Sequence, residues 1–143
     1  MKAKILIMGL PGSGKTTLAR ALAPLISAVH WNADEVRATV NRDLGFSMED
    51  RIKQAERMGW LCDQVNRAGH PAVADFVCPT AATRQAFGAN FVIFMDTIDA
   101  GRYPDTNNLF ERPGPADYHW KITTFDSPNH AREIACSLRR RYV

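Results

Sequence analysis

Gly9-Leu10-Pro11-Gly12-Ser13-Gly14-Lys15-Thr16 is the stretch on which the reading of this chain turns. It fits the pattern G-x-x-x-x-G-K-[ST], a glycine-rich turn that cradles phosphate. The glycines let the backbone wrap close round an anion with its N–H groups pointing inward. Lys15 supplies a cation for β- and γ-phosphates, and Thr16 a hydroxyl for Mg²⁺. The pattern carries meaning only between a strand and a helix, and both are legible. Ile5 to Met8 is a continuous apolar run that predicts a strand buried on both faces. Lys15 to about Ala23 reads as a helix ended near Pro24, with its positive end toward the same phosphates. Gly9, Pro11, Gly12, Ser13, Gly14, Lys15, Thr16 and Thr17 are therefore the expected nucleotide-binding set, with ATP and Mg²⁺ as its ligands.

Outward from the turn, strands and helices alternate. Ala28 to Trp31 is a weak second strand and Asp34 to Val40 a short helix with acid at its start. Ser47-Met48-Glu49-Asp50 resembles a capping box opening the longest helix, with Gly69 at its end. In that helix Leu61 and Val65 share one face, with Met58 and Cys62 close by. Pro71 to Val77 reads as a third strand, Thr80 to Phe87 as a helix and Phe91 to Met95 as a fourth strand. Tyr118 to Phe125 reads as the last strand, and Asp126-Ser127-Pro128 as the cap of a terminal helix. Between them Thr97 to Asp117 is rich in Gly, Pro, Asn and charge, a lid or a disordered loop. The pattern predicts a three-layer α/β/α sandwich with a mostly parallel five-stranded sheet, of the P-loop nucleotide-kinase type. A single domain over 1–143 with a lid over 98–117 is expected.

Composition narrows the function classes. The 143 residues are 45% hydrophobic and 23% charged, with a net charge of +3, ordinary for a globular enzyme. That charge suits anionic ligands and does not argue for nucleic acid; Arg139-Arg140-Arg141 is read as a partner of the helix dipole. The three cysteines, Cys62, Cys78 and Cys136, are odd in number and form no C-x-x-C pair, which disfavours a disulfide framework or zinc site. The apolar run ending at Gly9 is too short for a signal or membrane span, so a cytoplasmic, non-membrane protein is expected. His30, His70, His119 and His130 show no ligand spacing and are read as structural or surface residues. Trp31 and Trp60 are read as packing residues.

No N-K-x-D or S-A-K guanine motif occurs, which favours a kinase over a GTPase. A small-molecule kinase needs a second anionic pocket and a carboxylate near the acceptor hydroxyl. Asn32-Ala33-Asp34-Glu35-Val36-Arg37 and Asn41-Arg42-Asp43-Leu44-Gly45-Phe46-Ser47 resemble the D-G-D-N-x-R and L-N-x-D-L-G-F-S stretches of adenylylsulfate (APS) kinases. Those P-loop kinases phosphorylate the 3′-hydroxyl of APS to give PAPS. The D-R-x-E-N-I-R-R, F-I-S-P and F-V-D-T stretches of the family appear as Asp50 to Arg57, Phe76 to Pro79 and Phe94 to Thr97. The resemblance covers about residues 1 to 97 and implies roles position by position. Asp34 is the base or orienter of the acceptor hydroxyl and, with Lys15, the catalytic pair. Arg37 and Arg51 hold the anionic part of the substrate, Phe46 stacks on its adenine, and Asn41, Gln54, Phe76, Cys78 and Pro79 complete its pocket. It also implies a homodimer. Guanidinium groups suit phosphosulfate and an aromatic face suits a purine.

Asp75, at the end of the third strand, stands where the family has a small residue; its expected role is a water-mediated Mg²⁺ contact beside Thr16. Asn32 replaces the first acid of D-G-D, and Glu56 replaces an arginine near the anionic substrate. The lid is shorter than the family's and carries only Arg102 and Arg112 as cations, both candidates for the moving phosphoryl group. Tyr103 and Phe110 either cover a base or pack the loop down. These departures keep two alternatives open: a P-loop kinase for another nucleoside, nucleotide or sugar acceptor, and a non-catalytic ATP-binding regulatory module.

Overall fold

The structure, a computed structural model, describes residues 1–142. Five strands form one sheet: β1 (Lys4–Met8), β2 (Val29–Asn32), β3 (Ala72–Asp75), β4 (Phe91–Met95) and β5 (Trp120–Ile122), in the order β2-β3-β1-β4-β5. Every neighbouring pair is parallel. Parallel strands need covered faces, and β1 shows how the sequence meets that demand. Ile5 and Ile7 point to one side with Val73, Phe91, Ile93 and Ile122. Leu6 and Met8 point to the other with Ala72, Ala74 and Phe94. The first face is covered by α1 (Lys15–Leu25) and α6 (Ser127–Arg141) through Leu18, Leu22, Ile134 and Leu138. The second is covered by α3 (Met48–Arg67) and α4 (Ala81–Phe87) through Ala55, Met58, Cys62 and Phe87. The expected α/β/α sandwich is thus present, with α2 (Ala33–Ala38) following directly on β2.

Helix ends explain the local agreements and misses. α1 takes Pro24 into its last turn and ends one residue later, where the Ile26 and Ser27 N–H groups fold back on the Ala23 and Pro24 carbonyls (3.3 and 3.4 Å). Ser47 caps α3 by accepting from the Asp50 N–H at 3.1 Å. The reciprocal half of the expected capping box is absent: the Asp50 carboxylate accepts from the Gly45 N–H at 2.8 Å. Asp is one methylene shorter than the Glu of a full box. At the other end, the Gly69 N–H donates to Asn66 (2.9 Å) and the His70 N–H to Val65 (3.3 Å), a Schellman closure one residue past the cap Ala68. Asp126 occupies the N-cap of α6, but its carboxylate accepts from Asn129 Nδ2 at 2.7 Å and not from a backbone N–H.

Three expectations are corrected. The segment after Thr97 is neither structureless nor loose. It holds a short helix, α5 (Pro104–Leu109), and a 3₁₀ turn at Pro115–Asp117. Thr97 Oγ1 donates to the Ser13 carbonyl (2.7 Å), and Gly101 and Asn107 exchange two hydrogen bonds (2.7 and 2.9 Å). Beyond α5, the Glu111 N–H donates to Pro79 (2.7 Å) and Arg84 Nη2 to the Glu111 carbonyl (2.6 Å). These ties are polar, and all but the Gly101–Asn107 pair are distant in sequence, so no apolar period announces them. The last strand stops at Ile122, leaving Phe125 outside it and 65% exposed. Trp60 is not a packing residue, since it is 60% exposed on α3. Among the described residues no helix is long and apolar enough to cross a membrane.

Candidate active site

A cleft of about 1250 Å³ opens where the glycine-rich turn and the C-terminal ends of β2 and β3 converge. In open parallel sheets this edge is where ligands bind. Its floor begins with the turn. Gly9 admits no side chain, because a Cβ there would lie 2.8 Å from both the Met95 carbonyl and Ser13 Oγ. Gly14 has φ +97°, a left-handed conformation that directs the chain into α1. Pro11, Gly12, Gly14, Lys15, Thr16 and Thr17 all line the cleft, whereas Gly9 and Ser13 lie beneath it. The Ser13 hydroxyl is buried without a partner.

Lys15 Nζ donates to the Leu10 carbonyl at 3.0 Å. Burial lowers its pKa to about 8, against the carboxylates of Asp75 and Asp34, which raise it. A half-buried ammonium held by one carbonyl is poorly solvated and would gain from an anion set against it.

Behind Lys15 lies a polar floor built by three elements. Asn32 and Asp75 are opposite each other in the β2–β3 register. Asp75 is 2% exposed. Its Oδ1 accepts from Thr16 Oγ1 at 2.8 Å, and its Oδ2 contacts His30 Nε2. Asn32 Nδ2 faces both Asp75 oxygens (3.2 and 3.3 Å) and Thr16 Oγ1 (3.2 Å). The amide is aimed this way because Asn32 Oδ1 caps α2 by accepting from the Glu35 N–H at 3.0 Å, a bond of about 1 kcal/mol in helix stability. Asp34, in the first turn of α2, lines the cleft, and its charge acts on both Lys15 and Arg37.

The opposite wall is cationic and aromatic. Phe46 is 68% exposed, with the Arg37 guanidinium 4.3 Å and the Arg51 guanidinium 5.5 Å from its ring centre. A core role for Phe46 is thereby excluded. Arg37 Nη1 donates to the Gly45 carbonyl (2.7 Å) and Arg51 Nε to the Phe46 carbonyl (3.1 Å). Among the described residues neither has a carboxylate partner. Burial, then the charge of Arg51, lowers the Arg37 pKa, and burial lowers that of Arg51. Two half-buried guanidiniums that repel each other make a site an anion would relieve.

Phe76, Cys78 and Pro79 form the back wall. Cys78 takes a left-handed backbone (φ +47°), and burial pushes its thiol up to about 12. Gln54 also reaches the cleft, with its carbonyl oxygen occupied by Asn41 Nδ2 at 2.6 Å. Asn41 itself is buried and does not line the cleft; it stands behind Gln54 with Arg57, which donates to Asn41 Oδ1 at 3.1 Å. Glu56 is exposed and outside the cleft lining, so its reversed charge does not face the pocket.

Of the two lid cations, Arg102 lines the cleft beside Tyr103. Arg112 does not: it forms two bonds to the Asp96 carboxylate (2.9 and 2.5 Å) and covers Phe94 in a separate small pocket. Phe110 packs the segment down, stacking on Phe94 at 6.2 Å between ring centres.

His30, read as a structural or surface residue, lies against Asp75 outside the cleft lining, and the Phe125 to Pro128 stretch, read as a strand end and helix cap, is a turn that the fold brings into the cleft beside Gly14. His30 and Asn32 are two apart on a strand and so share a face, a signal that would have placed His30 next to the site. Phe125-Asp126-Ser127-Pro128 carries only a faint echo of the family stretch that gives adenine a second aromatic face, and an exposed aromatic after a short β5 reads as a longer strand, whereas β5 stops at Ile122.

Comparisons with known proteins bear on the family and the fold. The family model for adenylylsulphate kinase matches residues 1–103. The adenylyl-sulfate kinase of Synechococcus sp. (strain JA-3-3Ab) is 30% identical over 147 residues, covering 94% of this chain and 84% of that protein. A probable adenylyl-sulfate kinase of Pseudomonas aeruginosa is 37% identical over 97 residues, covering 62% of this chain and 45% of that protein. The chain spans less than half the length of the first curated relatives it matches. Among solved structures, the Mycobacterium tuberculosis APS kinase CysC in complex with AMPPNP and APS superposes with a TM-score of 0.80 at 21% identity, covering 96% and 98% of the two chains. At that identity the likeness speaks for the fold.

Proposed function

Because the chain belongs to the adenylylsulphate kinase family, we propose that it transfers the γ-phosphoryl group of ATP to the 3′-hydroxyl of adenylyl sulfate, releasing ADP and PAPS. The observation that carries this reading is the wall made by Arg37, Phe46 and Arg51, an exposed ring between two guanidiniums that form no ion pair among the described residues, set across the cleft from the phosphate-binding turn. A nucleotide with a charged phosphosulfate offers a purine to the ring and an anion to the arginines.

The residues divide the work by position. The turn from Pro11 to Thr17 receives the ATP phosphates through its N–H groups and the start of α1. Lys15 sets its ammonium against the β- and γ-phosphates. The donors at the floor fit a hard divalent cation: Mg²⁺ takes oxygen ligands, keeps several waters and is commonly held by one or two protein groups plus substrate phosphates. The Thr16 hydroxyl and the Asp75 carboxylate, 2.8 Å apart, are a set of that kind. When bound, Mg²⁺ supplies charge neutralisation at the phosphate oxygens. Asp34 accepts or orients the proton of the attacking 3′-hydroxyl. Arg102 closes over the transferring group and helps exclude water.

A second reading rests on the lid, which brings one of its two arginines, Arg102, into the cleft: the same machinery acting on another small hydroxyl acceptor. ADP release from Mg-ATP, assayed with APS, nucleoside monophosphates and sugars in parallel, separates the two. APS-dependent turnover is expected. Turnover with a different acceptor selects the second reading, and ATP binding with no acceptor-dependent turnover leaves only a nucleotide-binding module.

A further inference from the structure

Asp75 is a buried carboxylate whose two oxygens are held from different sides. Thr16 takes Oδ1, His30 takes Oδ2 and Asn32 spans both. A carboxylate held only by Thr16 and the Asn32 amide could rotate about its Cβ–Cγ bond. The long Asn32 contacts, 3.2 to 3.3 Å, do little to prevent it. The ring of His30 is different. It comes from β2, two residues before Asn32, is itself mostly covered (17% exposed), and meets the oxygen that Thr16 does not use. We propose that His30 is a positioning residue of the nucleotide–metal site. It fixes the plane of the Asp75 carboxylate, which keeps the Thr16 hydroxyl proton on Oδ1 and the Thr16 lone pairs turned toward the cation. Hydrogen-bond partners of this outer kind commonly contribute 10- to 100-fold to metal affinity.

The inference rests on the phosphate-and-metal half of the function proposed above and not on its acceptor, so the test omits any acceptor. Mn²⁺ replaces Mg²⁺, and its binding to the protein with a non-hydrolysable ATP analogue is followed by electron paramagnetic resonance. His30→Phe, which keeps the ring volume and removes the nitrogen, is expected to weaken Mn²⁺ binding about 10-fold or more. Metal-free affinity for the analogue should stay unchanged. His30→Gln, whose amide still reaches Asp75, should retain most of the wild-type value. In an Asp75→Asn background, His30→Phe should add no further loss.

A folded His30→Phe protein with wild-type Mn²⁺ affinity overturns the inference, as does an equal loss with and without Asp75. Thermal melting establishes folding; if His30→Phe does not fold, His30→Asn, too short to reach Asp75, is read by the same criteria. Wild-type protein that takes up no Mn²⁺–nucleotide overturns the proposed function itself, whereas wild-type binding with an unaffected His30→Phe overturns only the role of His30.

Discussion

On the floor of the cleft, Asp75 is 2% exposed and meets three side chains; on the wall, Phe46 is 68% exposed and flanked by guanidiniums that form no ion pair among the described residues. Around Asp75 the polar side chains of Thr16, His30 and Asn32 already hold one another, and the strands beneath them are core. The wall is incomplete: charge and aromatic surface are presented outward for something else to satisfy. The contrast teaches that the chemical half of the site is preorganised, as electrostatic catalysis requires, while the recognition half is left for an anionic, flat ligand to finish. Substitutions on the floor should therefore change rate, and substitutions on the wall should change acceptor affinity.

The largest effects are expected on the floor. Lys15→Ala should lower kcat/KM by about 10³-fold through loss of charge at the phosphates, and Asp34→Ala by about 10²- to 10⁴-fold through loss of the proton acceptor. Both proteins should melt near the wild type, so a matched loss of folding would blur the contrast.

Next is a swap across the β2–β3 ladder. Asn32→Asp would place a second carboxylate against Asp75 and should weaken Mg²⁺ dependence and activity by about 10- to 100-fold. Asn32→Asp with Asp75→Asn restores one charge to the same place and should recover much of the loss. A double variant no better than the worse single variant would mean that the floor needs Asp75 itself.

On the wall, Arg37→Ala and Arg51→Ala should each raise the acceptor KM about 10- to 100-fold, corresponding to roughly 1.5–3 kcal/mol for a charge-assisted hydrogen bond. The ATP KM should not change. Equal effects on both substrates would erase the division between floor and wall.

The smallest effect separates the lid cations. Arg102→Ala should lower kcat, whereas Arg112→Ala should leave kcat unchanged and cost about 1 kcal/mol or less of stability, as an exposed ion pair does. Steady-state kinetics beside urea denaturation reads both.

Much of this was legible in the sequence because local rules sufficed. The glycine turn needed a strand and a helix, and apolar runs on either side supplied them. β4 was read with its observed ends, since Phe91 to Met95 is uninterrupted and buried. Arg37, Phe46 and Arg51 were nominated by resemblance, and the fold brings them to one wall. The misses share a different cause. Asn41, a pocket residue by resemblance, lies behind Gln54; Arg112, a candidate lid cation, is bound to Asp96. Both outcomes depend on which polar partner a side chain finds across the fold, and spacing along the chain does not encode that. His30 entered the site for the same reason, through a carboxylate 45 positions away.

The central claim is tested most directly by following labelled γ-phosphate from Mg-ATP onto APS, with the product resolved chromatographically. The account predicts acceptor-dependent formation of PAPS that falls sharply in both Lys15→Ala and Asp34→Ala. Bound ATP with no label transferred to APS, or label transferred to another acceptor instead, would contradict it.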